Sequence, residues 1–307
     1  MTEKTVDLSV DIAGLKLKNP VIGASGTFGF GREFADYMDL NKIGGISVKG
    51  LTLEKRQGNR PPRIAETPAG ILNSVGLQNP GVKAFIEDEI PFLRKYDTKI
   101  IANIAGNTIE DYCEMAAQLS DADIDAIELN VSCPNVKKGC VAFGNSPGGI
   151  SEITSKVKKY CKKPLIVKLT PNVTDIKEIA VAAEEAGADA LSLINTILGM
   201  AIDIHKKRPI LANNMGGLSG PAVKPIAVRM VYEVASVVKI PVIGMGGISS
   251  GEDAVEFMLA GASAVMVGTA NFINPTACYD VVEGIENYLR MYNHGSVYEI
   301  IGKLQLN

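Results

Sequence analysis

Eight short apolar runs, each followed by a segment of helical period, predict a closed (β/α)8 TIM barrel. The runs span residues 20–25, 45–49, 100–104, 126–131, 165–169, 190–194, 242–245 and 264–267. Each is nearly continuous in Val, Ile, Leu or Ala, the pattern of a strand buried on both faces. Helical segments follow at 31–40, 79–95, 108–120, 148–161, 174–186, 222–238, 251–260 and 275–291. The eight units fill nearly the whole chain, so one barrel domain over residues 1–307 is expected. An open doubly wound sheet is the alternative.

Residues 5–18 alternate in polarity around Ala13-Gly14 and predict a short N-terminal β-hairpin that closes the barrel floor. Helix starts carry capping residues, as in Asn107-Thr-Ile-Glu and Ser249-Ser-Gly-Glu-Asp. Gly187 and Gly261 fall just after helical runs, where C-terminal caps belong. Three strand-to-helix connections are long, at 50–78, 132–147 and 195–221. Such connections usually run about 2–6 residues, and longer ones tend to carry function. All three leave the carboxyl ends of strands, the face on which barrel enzymes place their chemistry.

Composition narrows the function classes. A chain of 307 residues with 46% hydrophobic content can bury a large core. The net charge is −3, with both signs interspersed, which speaks against nucleic-acid or membrane-surface partners. Five cysteines (113, 133, 140, 161, 278) show no C-x-x-C spacing, so a zinc site or a chain-borne iron–sulfur cluster is not expected. Free thiols, no signal-peptide core and no apolar run of about 20 residues predict a cytoplasmic protein.

The strand ends carry the candidate chemistry. Lys49 and Lys168 close apolar strands, and a buried lysine needs an anion or hydrogen bonds. Asn103, Asn130 and Asn195 stand at three more strand ends, although asparagine is depleted in strands. Together they point to a polar, anionic ligand; singly, each amide could satisfy loop backbone. Gly244-Met-Gly-Gly-Ile248 and Val267-Gly-Thr-Ala270 end the seventh and eighth strands, and Gly216-Gly-Leu-Ser-Gly-Pro221 leads into the helix after the sixth. Glycines there let backbone N–H groups approach a phosphate, although ordinary tight turns need glycine too. Asn73 and Ser74 can hydrogen-bond a carboxylate or cap the next helix. Cys133 lies in Glu128-Leu-Asn-Val-Ser-Cys-Pro-Asn135, where a buried strand runs into a loop. Local sequence leaves two readings for it, a small packed hydrophobe or a proton-transfer group. Its place on the active face favours the second. His205 and His294 are away from strand ends, and neither they nor a carboxylate base is seen competing there.

Taken together these motifs resemble the dihydroorotate dehydrogenases, flavin enzymes of pyrimidine synthesis. The similarity runs along almost the whole chain: Ala24-Ser-Gly26, Val48-Lys-Gly50, Asn73-Ser-Val-Gly-Leu77, Asn130-Val-Ser-Cys-Pro-Asn135, Lys168, Ile194-Asn-Thr196, Gly246-Gly247 and Gly268-Thr269. Ser132-Cys-Pro134 resembles the class whose base is cysteine, and Leu193–Asp203 resembles the NAD-linked class 1B rather than the fumarate-using class 1A. The resemblance implies oxidation of (S)-dihydroorotate to orotate, with Cys133 taking the C5 proton and FMN the C6 hydride. Carried over position by position, Ser25, Lys49, Gly50, Asn103, Asn130, Lys168, Ile194, Gly220, Gly246, Gly247, Gly268 and Thr269 would line FMN. Lys49, Asn73, Ser74, Val75, Gly76, Leu77, Asn130, Asn195 and Thr196 would hold dihydroorotate. No metal is implied on this chain. A partner electron-transfer subunit would carry FAD and a [2Fe-2S] cluster, in a heterotetramer built around a catalytic homodimer. Cys140 departs from the family pattern, where glycine is frequent, and reads as a tolerated substitution. A flavin-free barrel acting on a sugar phosphate would account for the glycine loops but not for Cys133 among strand-end amides.

Overall fold

A computed structural model describes residues 6–131 and 143–307. The chain opens on the expected hairpin, in which β1 (Val10–Ile12) pairs antiparallel with β2 (Leu15–Leu17). Ala13 and Gly14 both take positive φ, at 53° and 90°, as a two-residue hairpin turn requires. Val10, Ile12, Leu15 and Leu17 alternate inward and are buried. Asn19, also buried, accepts from the Val21 and Gly44 N–H groups and donates to the Lys42 carbonyl. The hairpin's exit is thereby pinned to the N-terminal rim of the barrel, its floor.

The remaining strands run in chain order as follows. β3 (Val21–Gly23) and β4 (Gly45–Ser47) begin the barrel, and β5 (Ile64–Thr67) and β6 (Gly70–Asn73) leave it. β7 (Lys99–Ile104), β8 (Ala126–Asn130), β9 (Leu165–Lys168) and β10 (Ala190–Leu193) continue it. β11 (Ile197–Gly199), β12 (Ile202–Asp203), β13 (Arg208–Pro209) and β14 (Gly216–Ser219) leave again, before β15 (Val242–Met245) and β16 (Ala264–Val267) complete the ring. The ring closes in the order β3-β4-β7-β8-β9-β10-β15-β16, every neighbour parallel, with β16 paired back to β3. This is the (β/α)8 barrel that the apolar runs predict. Its strands are buried almost throughout because helices cover their outer face and side chains fill the inner one.

Helices follow the strands within a few residues of the expected bounds, except the first. Residues 31–40 form one turn, Arg32–Ala35, and a separate 3-10 turn, Leu40–Lys42, whose start is capped by Asp39. Gly29 and Gly31 hold positive φ before the first turn. Capping boxes form at Thr108 with Asp111 and at Ser250 with Asp253. Gly187 and Gly261 end their helices at φ 98° and 115°, as anticipated.

Two connections that read as loops contain strands. β5 and β6 from one, with β11 and β14 from the other, form an antiparallel sheet in the order β11-β14-β6-β5. Gly216–Ser219 is therefore a strand, and not part of a glycine loop. These strands are short, glycine-bearing and only half-buried, so neither continuous apolarity nor clean alternation marks them. The helix after Pro80 starts at Val82 with no side-chain cap, which removes the capping role for Asn73 and Ser74.

Helices Gly251–Leu259 and Ala277–Met291 touch backbone to backbone, for a Cβ on Gly284 would lie 2.7 Å from the Gly251 Cα. Helix propensity alone makes Gly284→Ala stabilising by about 1 kcal/mol. Overpacking costs typically about 1–3 kcal/mol, and contact with a rigid backbone places this site at the upper end. Gly284→Ala is expected to lower stability in urea unfolding; a stabilised variant would show that the two helices separate without cost.

Candidate active site

The interior of the barrel is polar just below its mouth. Strand alternation turns Glu128 and Asn130 of β8 to the same side. Glu128 is fully buried and its partners come from four other strands. Its Oε1 accepts from Ser192 Oγ of β10 at 2.7 Å. Its Oε2 accepts from Ser47 Oγ of β4 at 2.8 Å and from Asn103 Nδ2 of β7 at 2.5 Å. The Lys168 ammonium of β9 lies 3.6 Å from the same oxygen. The sheet register brings these groups level, with Asn103 opposite Glu128 and Asn130 opposite Lys168. The anion that buried Lys168 requires is therefore inside the chain. A carboxylate does lie beneath the active face, contrary to the sequence reading, but it already accepts three hydrogen bonds and faces an ammonium.

Above this layer the amides form a rim. Asn195 Nδ2 donates to Asn130 Oδ1 at 3.2 Å, and Asn195 Oδ1 accepts the Thr196 N–H at 2.8 Å. The Asn130 carbonyl accepts from Tyr112 Oη at 2.9 Å, which fixes the end of β8. Asn172, which the sequence did not single out, donates to Thr170 Oγ1 and the Thr196 carbonyl and accepts from the Leu198 N–H. It ties the exits of β9 and β10 together. Lys49 is half-buried at the end of β4, its Nζ 3.7 Å from where a Cβ on Gly26 would lie, and Ser25 precedes that glycine. The peptide between Leu193 and Ile194 is cis, and Ile194 is buried.

The antiparallel sheet brings the 73–77 segment to this rim. Asn73 of β6 pairs with Gly217 of β14, and Thr196 packs on Gly217 so closely that a Cβ there would meet Thr196 Oγ1 at 2.0 Å. Ser74 is buried, Val75 and Gly76 are half-buried, and Leu77 takes φ 56°. A Cβ on Gly50 would lie 2.9 Å from Asn103 Oδ1 and 3.2 Å from Leu77 Cδ2, so that glycine keeps the two connections in register with the mouth.

The glycines after β14, β15 and β16 also gather. A Cβ on Gly247 would lie 2.9 Å from the Gly220 carbonyl, and one on Gly220 would lie 3.4 Å from Thr269 Cγ2. Thr269 Oγ1 donates to Ser219 Oγ at 2.9 Å. Gly220, Gly246 and Gly247 have φ of 104°, 126° and 84°, so their own turns demand glycine. Gly268 is different: a Cβ there would find nothing closer than Ala24 Cβ at 3.6 Å. The next atom out, Thr27 Oγ1, would lie at 3.8 Å, so an added methyl there would make ordinary van der Waals contacts.

Two buried acceptors beside the mouth, Asn103 Oδ1 and Ser74 Oγ, lack a hydrogen-bond partner among the described residues. Leaving such a group unmet costs about 1–3 kcal/mol. Together with the glycine turns after β14, β15 and β16, they fit a polar ligand that brings its own donors.

Cys133 and Cys140 lie outside the described residues. The thiols within them are poor bases. Burial pushes Cys278 up to about 12, burial raises Cys161, and burial followed by Glu110 raises Cys113. His205 is exposed, and His294 pairs with Glu299 at 3.0 Å beyond the last long helix. Neither stands at a barrel strand end, as the sequence indicated. Glu128, Ser47, Ser192 and Asn172 were missed. The available signal was Glu128 itself, a charge inside the apolar strand Ala-Ile-Glu-Leu-Asn.

Comparison with known proteins agrees with this architecture. The family model for dihydroorotate dehydrogenase matches residues 7–289. The chain is 64% identical over 298 residues to "Dihydroorotate dehydrogenase B (NAD(+)), catalytic subunit" of Alkaliphilus oremlandii (strain OhILAs), covering 97% of this chain and 99% of that one. Similar proteins of the same name come from Alkaliphilus metalliredigens (strain QYMF), 65% identical over 97% of this chain and 99% of that one, and Thermoanaerobacter pseudethanolicus (strain ATCC 33223 / 39E), 61% identical over 98% and 100%. A barrel with a polar layer under its mouth, matched along nearly its full length, belongs to the dihydroorotate dehydrogenase family.

Proposed function

We propose that this chain is the catalytic subunit of an NAD-linked, class 1B dihydroorotate dehydrogenase, oxidising (S)-dihydroorotate to orotate in pyrimidine biosynthesis. The observation that carries the reading is the buried Lys168–Glu128–Asn103 layer beneath the Asn130–Asn195 rim. The name shared by the relatives favours NAD linkage over the fumarate-using class. A flavin-free sugar-phosphate barrel leaves the unmet acceptors and the central ion pair unexplained.

FMN supplies the two-electron acceptor when bound. Ser25, Lys49, Gly50, Asn103, Asn130, Lys168 and Ile194 would hold its ring system, and Gly220, Gly246, Gly247, Gly268 and Thr269 its phosphate end. Lys168 would stabilise negative charge on that ring system, by electrostatics already in place. Asn73 to Leu77, Asn130, Asn195, Thr196 and Lys49 hold dihydroorotate. Such polar recognition rejects analogues that lack a partner group, because buried amides would then stay unpaired. Cys133 accepts the proton from the carbon next to the one that loses hydride. An ordinary thiol, with pKa about 8.5, is only a few per cent thiolate near neutrality, so a positive local field aids it.

The whole chain acts as a single FMN-binding domain in the cytoplasm. No helix among the described residues is long and apolar enough to cross a membrane. Electrons leave through a partner subunit carrying FAD and [2Fe-2S], in a heterotetramer of two catalytic and two electron-transfer chains. The name "catalytic subunit" of the relatives supports such a partner.

Anaerobic addition of dihydroorotate to the FMN-loaded chain is expected to bleach the flavin spectrum without any partner. A yellow protein that stays oxidised would contradict the assigned activity. Cys133→Ser should retain FMN and lose about 10²–10⁴-fold in flavin reduction at neutral pH, with partial recovery as pH rises and hydroxyl ionisation becomes easier. A normal rate in that variant would remove Cys133 from the role of base. The chain alone should reduce NAD far more slowly than the complex with its partner; equal rates would refute the need for an electron-transfer subunit.

A further inference from the structure

Glu128 is the residue for which binding alone provides no task. Among the described residues its four partners are protein donors: Ser192, Ser47, Asn103 and, at ion-pair distance, Lys168. That donor set matches a carboxylate, which only accepts. Inside the barrel its charge is screened less than it would be in water. We propose that Glu128 is a positioning residue for the reaction: through the Lys168 ammonium that it holds, it sets the reduction potential of the flavin at the barrel mouth. The inference rests on the FMN reading above.

Dihydroorotate gives up a proton to the base and a hydride to FMN, so the flavin gains two electrons and one negative charge. Lys168 favours that charge, and Glu128, 3.6 Å from the ammonium, offsets it. The offset keeps the reduced flavin from being held too firmly, so that its electrons pass on to the next carrier. Ser47, Asn103 and Ser192 fix where the carboxylate sits and moderate its field.

The test is the midpoint potential of bound FMN in the purified holoprotein, read by anaerobic titration against a reference dye, with FMN affinity measured on the apoprotein. In Glu128→Gln the Lys168 ammonium keeps the reduced flavin as its principal counter-ion. The reduced-to-oxidised ratio at fixed potential should then rise about tenfold, which is about 30 mV for a two-electron couple. A unit charge about 10 Å away at an effective dielectric of about 20 gives a change of that order. Ser192→Ala removes a donor from Oε1 with almost no change in volume, leaving the carboxylate's field less moderated. Its ratio should move the opposite way, falling about threefold, an effect in line with loss of one charge-assisted hydrogen bond.

A purely structural Glu128 predicts weaker FMN binding or lower stability in both variants with midpoint potentials equal to wild type, and that result would overturn the proposal. Where Glu128→Gln gives no folded holoprotein, Ser192→Ala decides alone, and an unchanged potential there also overturns it. A wild-type chain that binds no FMN would instead refute the functional reading, so the two failures are distinguishable.

Discussion

A carboxylate sealed inside a barrel must be surrounded by donors, and that requirement organises this structure. Moving such a group out of water costs several kcal/mol even after relaxation, and the interior must supply compensation. Here four strands meet the demand at once, with Ser47 from β4, Asn103 from β7, Lys168 from β9 and Ser192 from β10 converging on Glu128 of β8. The cluster fixes the inner faces of adjacent strands at one height. It also explains how Lys168 and Asn103 can be buried while remaining beside the mouth, where a ligand can use them.

Above that layer, precision comes from backbone connections rather than from further charge. Asn172 links the exits of β9 and β10, Tyr112 holds the end of β8, and the antiparallel sheet carries Asn73 to the rim through Gly217. Barrel enzymes place chemistry on strand-end loops; in this chain two of those loops stiffen each other by pairing. A site that reads a small polar substrate benefits, since misplaced amides forfeit both binding and discrimination.

The barrel was legible in the sequence because strands covered on both faces are nearly continuous in apolar residues. Ile100–Ile104 and Leu165–Leu169 show this, each broken only by the one residue, Asn103 or Lys168, that joins the polar layer. The lobe formed by β5, β6, β11 and β14 was not legible, because strands such as Gly216–Ser219 are held by pairing with distant partners and bury little of their own surface. The site was half legible. Lys49, Lys168, Asn103, Asn130 and Asn195 stood out as polar groups at strand ends, and the structure gathers them at one end of the barrel. The anion for Lys168 was looked for in a ligand, although Glu128 stood in the preceding strand. Charge inside a buried strand signals a partner, but only the closed topology shows that β4, β7, β9 and β10 all reach it.

Glu128 and Lys168 form one unit on which the mouth depends. A double-mutant cycle in unfolding free energy, with Glu128→Gln, Lys168→Met and the pair combined, tests this directly. Each single change should cost roughly 3–5 kcal/mol, because it leaves an uncompensated charge or unmet donors in the interior. The combined variant should cost clearly less than the sum, with a coupling of about 1–3 kcal/mol. Strictly additive losses would show that the two side chains share a space without sharing an interaction, and that the mouth does not depend on them as a unit.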